Sequence, residues 1–150
     1  MRRMPEEPVI HPSQVMLIRN TQDGQAECLL MDRRTLHVSC TAAELLEHFC
    51  LQYGSTMKGR QDAFRMIMHT RQKTPVMISH SSRRIFFPVV SPDDPDCVWL
   101  CSNEILKCRN RGNGRSTVMF MNGDEYELDH DARTLLKQMK RCEKYLQMFT

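Results

Sequence analysis

No run in this 150-residue chain approaches the roughly 20 consecutive apolar residues that a membrane-spanning helix needs. Arg2 and Arg3 are followed by no apolar h-region, so no secretory signal is visible and the cytoplasm is the expected compartment. The seven cysteines are odd in number and irregularly spaced, which argues against a disulfide framework. Enzyme signatures are missing as well. Gly54 and Gly59 have the Gly-x-x-x-x-Gly spacing of a phosphate loop, but Arg60 and Gln61 follow where such a loop has Lys and Ser/Thr. There is no nucleophile elbow and no paired-carboxylate pattern, and the six histidines are scattered. The chain therefore reads as a non-enzyme without a cofactor. No internal repeat and no low-complexity segment shows in the residues.

What is present suits one globular domain. The length allows a single hydrophobic core, and the hydrophobic (41%) and charged (26%) fractions are those of an ordinary globular protein. The net charge of +3 is unevenly spread. Residues 58–84 hold seven Lys or Arg against one acid, Asp62, whereas residues 1–57 have five basic and seven acidic residues. Such a basic block suits a polyanion such as nucleic acid; the alternative is a solvated basic face balanced by acids elsewhere in the fold.

Residues 1–12, with three prolines, read as a flexible leader to a domain over 13–150. Strands are expected at Val15–Ile18, Glu27–Met31 and Thr35–Val38. Thr41-Ala42-Ala43-Glu44 is a capping box opening a helix whose apolar stripe is Leu45, Leu46, Phe49, Cys50 and Tyr53 and which Gly54 ends. A second helix is expected from Met57 to about His69, with Ala63, Phe64, Ile67 and Met68 inward. Pro75–Ile78 and Ile85–Phe87 form an expected hairpin, with Pro88 marking an edge or bulge. Further strands are expected at Cys97–Leu100, Thr117–Met121 and Glu125–Leu128, the last two flanking the hairpin signal Asn122-Gly123. A final helix from about Asp131 to Phe149 places Leu135, Leu136, Met139, Cys142, Leu146 and Phe149 on one side. The fold class is α+β, a single domain of short antiparallel strands packed with two or three helices.

Candidate nucleic-acid contacts follow from the charge pattern. Lys58, Arg60, Arg65, Arg71, Lys73, Arg83 and Arg84 surround one helix and one hairpin, where Lys and Arg would neutralise phosphates. Gly54 and Gly59 would shape the turn that presents them. Arg109, Arg111 and Arg115 lie in a Gly/Asn-rich segment with no acid, read as a loop able to enter a narrow minor groove or as a hairpin loop kept soluble by arginine. The two helices could also be a helix-turn-helix, with Lys58, Gln61 and Arg65 facing base edges or phosphates. A different class of function, a zinc- or redox-responsive regulator, would use Cys97, Cys101 and Cys108. An RNA- or protein-binding module is the remaining alternative.

The motif Cys50-x-x-x-Gly54-Ser55-x-x-x-Gly59-Arg60, followed by Lys73-x-Pro75-Val76-Met77, Ile85-Phe86-Phe87-Pro88, Cys97-x-Trp99, Phe120-x-Asn122-Gly123 and Leu128, resembles the ComK family of competence transcription factors. The match spans about eighty residues. The resemblance implies activation of DNA-uptake and recombination genes by binding double-stranded A/T-rich boxes, largely through the minor groove. It also implies a homo-oligomer and, as further partners, proteolytic adaptor proteins. Longer members carry an additional basic C-terminal segment, so this chain reads as a short member or paralogue.

Overall fold

A continuous apolar run gives β1 (Val15–Asn20), and alternating apolar residues give β2 (Ala26–Leu30) and β3 (Thr35–Val38), three antiparallel strands at the start of the described residues. The computed structural model describes residues 10–149, so most of the expected leader lies outside the described residues. Ile10 and Pro12, expected in that leader, are buried in the body of the domain, and Pro12–Gln14 forms a 3₁₀ turn leading into β1.

Helix α1 (Ala42–Gln52) starts as its capping box predicts: Thr41 Oγ1 accepts from the Glu44 N–H, and Glu44 Oε1 accepts from the Thr41 N–H, both at 3.1 Å. It ends in a Schellman motif. Gly54 takes φ 79°, the Gly54 N–H donates to Leu51 O and the Ser55 N–H donates to Cys50 O. Helix α2 (Met57–Met68) follows directly, capped by Thr56. Its buried residues are Met57 and Phe64; Ile67, expected inward, is 37% exposed.

The rest of the chain adds β4 (Val76–Met77), β5 (Ile85–Pro88), β6 (Val98–Cys101), β7 (Ile105–Gly112), β8 (Arg115–Phe120), β9 (Glu125–Leu128) and α3 (Ala132–Gln147). Six strands form one antiparallel sheet in the order β3-β2-β1-β6-β5-β4, and three form a second in the order β7-β8-β9. β5 is interior; Pro88, read as an edge signal, lies past the end of the two-residue β4. The strand β7 replaces the expected Arg109–Arg115 loop. It is closed onto β8 by Asn113 (φ 54°) and Gly114 (φ 72°), the left-handed pair that a two-residue type I′ turn demands. In α3, Leu136 is 48% exposed and Tyr145 is buried in its place beside Leu135 and Cys142.

The large sheet is buried on both faces. Ile18, Phe86 and Trp99 face α1, whereas Leu17, Phe87 and Leu100 face a second core shared with Phe64, Val118, Phe120, Leu135 and Cys142. The described residues form a single α+β domain of three helices and nine antiparallel strands in two sheets.

An internal repeat, not seen in the residues, is plain in the backbone. The succession 3₁₀ turn, three strands, helix occurs at 12–52 and again from 102, with Pro12–Gln14, β1, β3 and α1 starting ninety residues before Ser102–Glu104, β7, β9 and α3. Equivalent bonds recur at the same offset. The Met31 N–H donates to Gln14 O (2.9 Å) and the Met121 N–H to Glu104 O (2.8 Å); the Leu30 N–H donates to Arg34 O and the Phe120 N–H to Asp124 O, both at 2.9 Å. Arg33 (φ 74°) and Gly123 (φ 91°) occupy the same left-handed position in the two β-turns. These two turns touch: Arg33 donates to the Asn122 carbonyl and pairs with Asp124, and Asn122 Nδ2 donates to Met31 O at 3.0 Å. Identical residues are few (Arg19, Asn20, Gly24, Met31, Ala42, Leu45 and Leu46 recur as Arg109, Asn110, Gly114, Met121, Ala132, Leu135 and Leu136), so the geometry repeats where the sequence has diverged.

Both helices of the repeat depend on a side-chain cap. Asp131 accepts from the Arg133 N–H at 2.8 Å. Asp131→Ala is expected to cost about 1 kcal/mol, a fall in Tm of about 2–4 °C on thermal unfolding.

Candidate nucleic-acid interface

The basic block divides into outward and inward cations. Arg65, Arg71 and Lys73 line a cleft between α2, residues 71–74 and residues 91–93, with a volume of about 600 Å³ and Met57, Gln61 and Asp93 also among its walls. Lys58 stands at the exposed start of α2. Its ammonium bonds Asp62 at 2.8 Å, and Arg65 reaches the same carboxylate at 2.9 Å. The Lys58 hydrogen bond, with both positive charges, holds the Asp62 carboxyl below its ordinary value, so the single acid of the block stays ionised and neutralised. Arg71 is exposed and Lys73 half-buried, and neither forms an ion pair among the described residues.

Gln61 and Arg65 hold the cleft's shape. Gln61 Nε2 donates to Thr74 O and Arg65 Nε to Thr74 Oγ1, both at 3.1 Å. Their donors tie α2 to the 71–74 segment, so of the three side chains that a helix-turn-helix reading would use only Lys58 points outward, and it is paired with Asp62. Gly59 lies inside the first turn of α2; a Cβ there would come within 3.1 Å of Thr56 Oγ1, the atom that caps its own N–H. Gly54, by contrast, shapes the connecting turn through its positive φ.

Three arginines expected at the surface turn inward. Arg84 is 8% exposed; its guanidinium pairs with Glu104 and donates to Val15 O at 2.9 Å. A buried charge so paired is a joint of the fold, and Arg84 is withdrawn from the candidate contacts. Arg83 donates to Leu146 O at 2.6 Å and to Phe149 O at 3.3 Å, placing its positive charge at the negative end of α3. Arg60 is half-buried, with a buried Nε.

The second candidate surface is the β7–β8 hairpin. Arg109, Arg111 and Arg115 are exposed, but the acids that the linear sequence lacks arrive from β9 and the residue after it. Arg109 lies 3.5 Å from Glu125, Arg111 3.9 Å from Glu127, and Arg115 3.3 Å from Glu127 and 3.1 Å from Asp129. Exposed pairs of this kind contribute roughly 0–1 kcal/mol, so they orient the guanidinia without committing them.

The cysteines do not assemble. Cys97 and Cys101 lie in the first core and Cys108 packs against the second, and no group of three or more His, Cys, Asp or Glu among the described residues is placed to hold a metal. Burial pushes the Cys97 thiol up to about 11 and those of Cys28, Cys50 and Cys101 up to about 12.

One contributor escaped the linear charge count. Arg141 of α3 donates to Gln72 O at 3.3 Å and lies 5.5 Å from the Phe64 ring centre, which brings a further cation beside the cleft. It lies outside the 58–84 block, on a helix that carries five Lys or Arg and one acid over 132–147.

The arrangement is that of a small α+β domain presenting cations from a helix-flanked cleft and from a β-hairpin. The chain belongs to the ComK family: the model of the ComK protein matches residues 6–150. ComK is a family of transcription factors, not of enzymes. The Competence transcription factor of Bacillus subtilis (strain 168) is 23% identical over 105 residues, 70% of this chain and 55% of that protein. The chain thus spans about half the length of this curated relative. No solved structure matches.

Two outcomes test these placements. Arg84→Ala leaves Glu104 buried and unpaired and is expected to cost about 3–5 kcal/mol, whereas Arg84→Met/Glu104→Leu recovers most of that loss in denaturant unfolding. Native protein treated with a thiol reagent is expected to label Cys108 well before the six buried cysteines; simultaneous labelling of Cys97 or Cys101 would contradict their packing.

Proposed function

We propose that the protein is a DNA-binding regulator of competence genes that prefers A/T-rich boxes, contacting phosphates from the α2 cleft and the minor groove from the β7–β8 hairpin. The observation that carries the reading is the hairpin tip. Asn113 and Gly114 make a narrow end, with Arg111 and Arg115 on either side of it. A slim basic tip suits a narrow minor groove, where A/T tracts concentrate negative potential. Lys58, Arg71 and Lys73, with Arg65 and Arg141 behind them, would take backbone phosphates and fix the protein's register. Arg109 would follow the hairpin into contact, its pairing to Glu125 exchanged for a phosphate.

Comparison of the two repeats supports the hairpin's specialisation. The aligned connection of the first unit has Thr21, Asp23 and Gln25 where the second has Arg111, Asn113 and Arg115, so the first unit's tip is acidic and the second's basic. The family relationship supplies the competence context and the transcriptional role, both named for the B. subtilis relative. Paired boxes would engage two or more protomers, a homo-oligomer on one DNA. Proteolytic adaptors and a cytoplasmic location belong to the same reading; no helix among the described residues is long and apolar enough to cross a membrane.

Binding to A/T-box and G/C-rich duplexes across a salt series tests it. Tighter A/T binding with a steep salt dependence is expected, and Arg111→Ala/Arg115→Ala should remove about 1–3 kcal/mol of the A/T preference while leaving the fold intact. Equal affinity for both duplexes would contradict sequence preference, and a flat salt response would contradict phosphate contact.

A further inference from the structure

We infer that α3 carries a second phosphate-binding surface, a stripe made by Arg133, Lys137, Lys140 and Lys144, which extends the cleft's contact with duplex DNA along the length of the helix. The inference rests on the DNA reading above, but uses residues outside both surfaces named there.

At about 100° per residue these four positions fall within an arc of about 60°. Their arc lies opposite Leu135 and Cys142, which are fully buried in the second core. All four side chains are exposed. Arg133 pairs with its own helix cap, Asp131, while Lys137, Lys140 and Lys144 form no ion pair among the described residues.

The internal repeat supplies a control for what the fold itself requires. α1 and α3 begin at the same point of the same unit and bury the same first-turn leucines, Leu45 and Leu135. Where α3 has Arg133 and Lys137, α1 has Ala43 and Glu47; Lys140 aligns with the buried Cys50, and Lys144 with Gly54, beyond the end of α1. The unit therefore folds without these cations. Arg133 with Lys137, and Lys140 with Lys144, are like charges four apart, a repulsion that Lys144 offsets in part by standing in the last turn, where the helix end favours cations. A surface that the architecture does not need, and that crowds like charges on one face, is explained by an external polyanion.

Two polyanionic surfaces could present phosphates, and the packing selects between them. A basic amphipathic helix that settles on a lipid surface inserts its apolar face. Here Leu135, Cys142 and Tyr145 are buried against the sheets, and the single exposed Leu136 is no apolar face to insert, so the helix offers chiefly its cations, which suits a rigid array of backbone phosphates. Arg141, beside both Gln72 and the Phe64 ring, joins the stripe to the cleft.

The test compares wild type, Lys137→Gln/Lys140→Gln/Lys144→Gln and the charge-keeping Lys137→Arg/Lys140→Arg/Lys144→Arg on one A/T-box duplex across a salt series, with circular dichroism to verify α3. The glutamine variant is expected to lower the slope of log affinity against log salt by about 2 to 3 and to weaken binding on the order of a hundredfold at about 0.1 M salt; the arginine variant should match wild type. Duplex binding by wild type with the slope unchanged in the glutamine variant overturns this inference alone. Failure of wild type to bind any duplex overturns the DNA reading and the stripe's role together.

Discussion

One buried guanidinium joins the parts of this fold. Arg84, at the start of β5, reaches the carbonyl of Val15, where β1 begins, and the carboxylate of Glu104, just before β7 begins. Val15 and Ile105 are equivalent first-strand residues of the two repeated units, so the ion pair sits where both units leave their 3₁₀ turns. Glu104 also accepts the Met121 N–H through its backbone. A charge removed from water must be matched, and matching it fixes the large sheet, the first unit and the second unit in one arrangement.

That joint explains how a repeated architecture yields two different surfaces. Each unit packs its helix on its own three strands, and the units touch through their equivalent β-turns at Arg33, Asn122 and Asp124. The segment between them, α2 with β4, β5 and β6, completes the large sheet and supplies the cleft. The first unit has a neutral-to-acidic hairpin and helix, with Asp23, Glu44 and Glu47; the second has Arg111, Arg115 and the bases of α3. Hairpin, cleft and α3 all draw their cations from the second unit or the connecting segment.

Local signals in the sequence translated well into structure. The Thr41–Glu44 box, the Gly54 stop and the strands Thr35–Val38 and Glu125–Leu128 form as their residues predict, because caps and turns are decided within a few residues. Asn122-Gly123 does close a hairpin, though with only Gly123 left-handed, whereas Asn113-Gly114 makes the two-residue turn. What the residues hid depends on packing at long range. Arg84 differs from Arg71 only in that Glu104 and Val15 lie over it. The arginines of β7 and β8 read as free because their acids come from the next strand. The repeat was illegible because what recurs is backbone hydrogen-bond register, while only seven aligned residues are identical.

Amide hydrogen exchange with and without an A/T-rich duplex tests the central claim most directly. The account predicts added protection in residues 109–116, 70–74 and the outward side of α3. Protection confined to α1, β3 and the 21–25 turn, with the second unit unchanged, would contradict it.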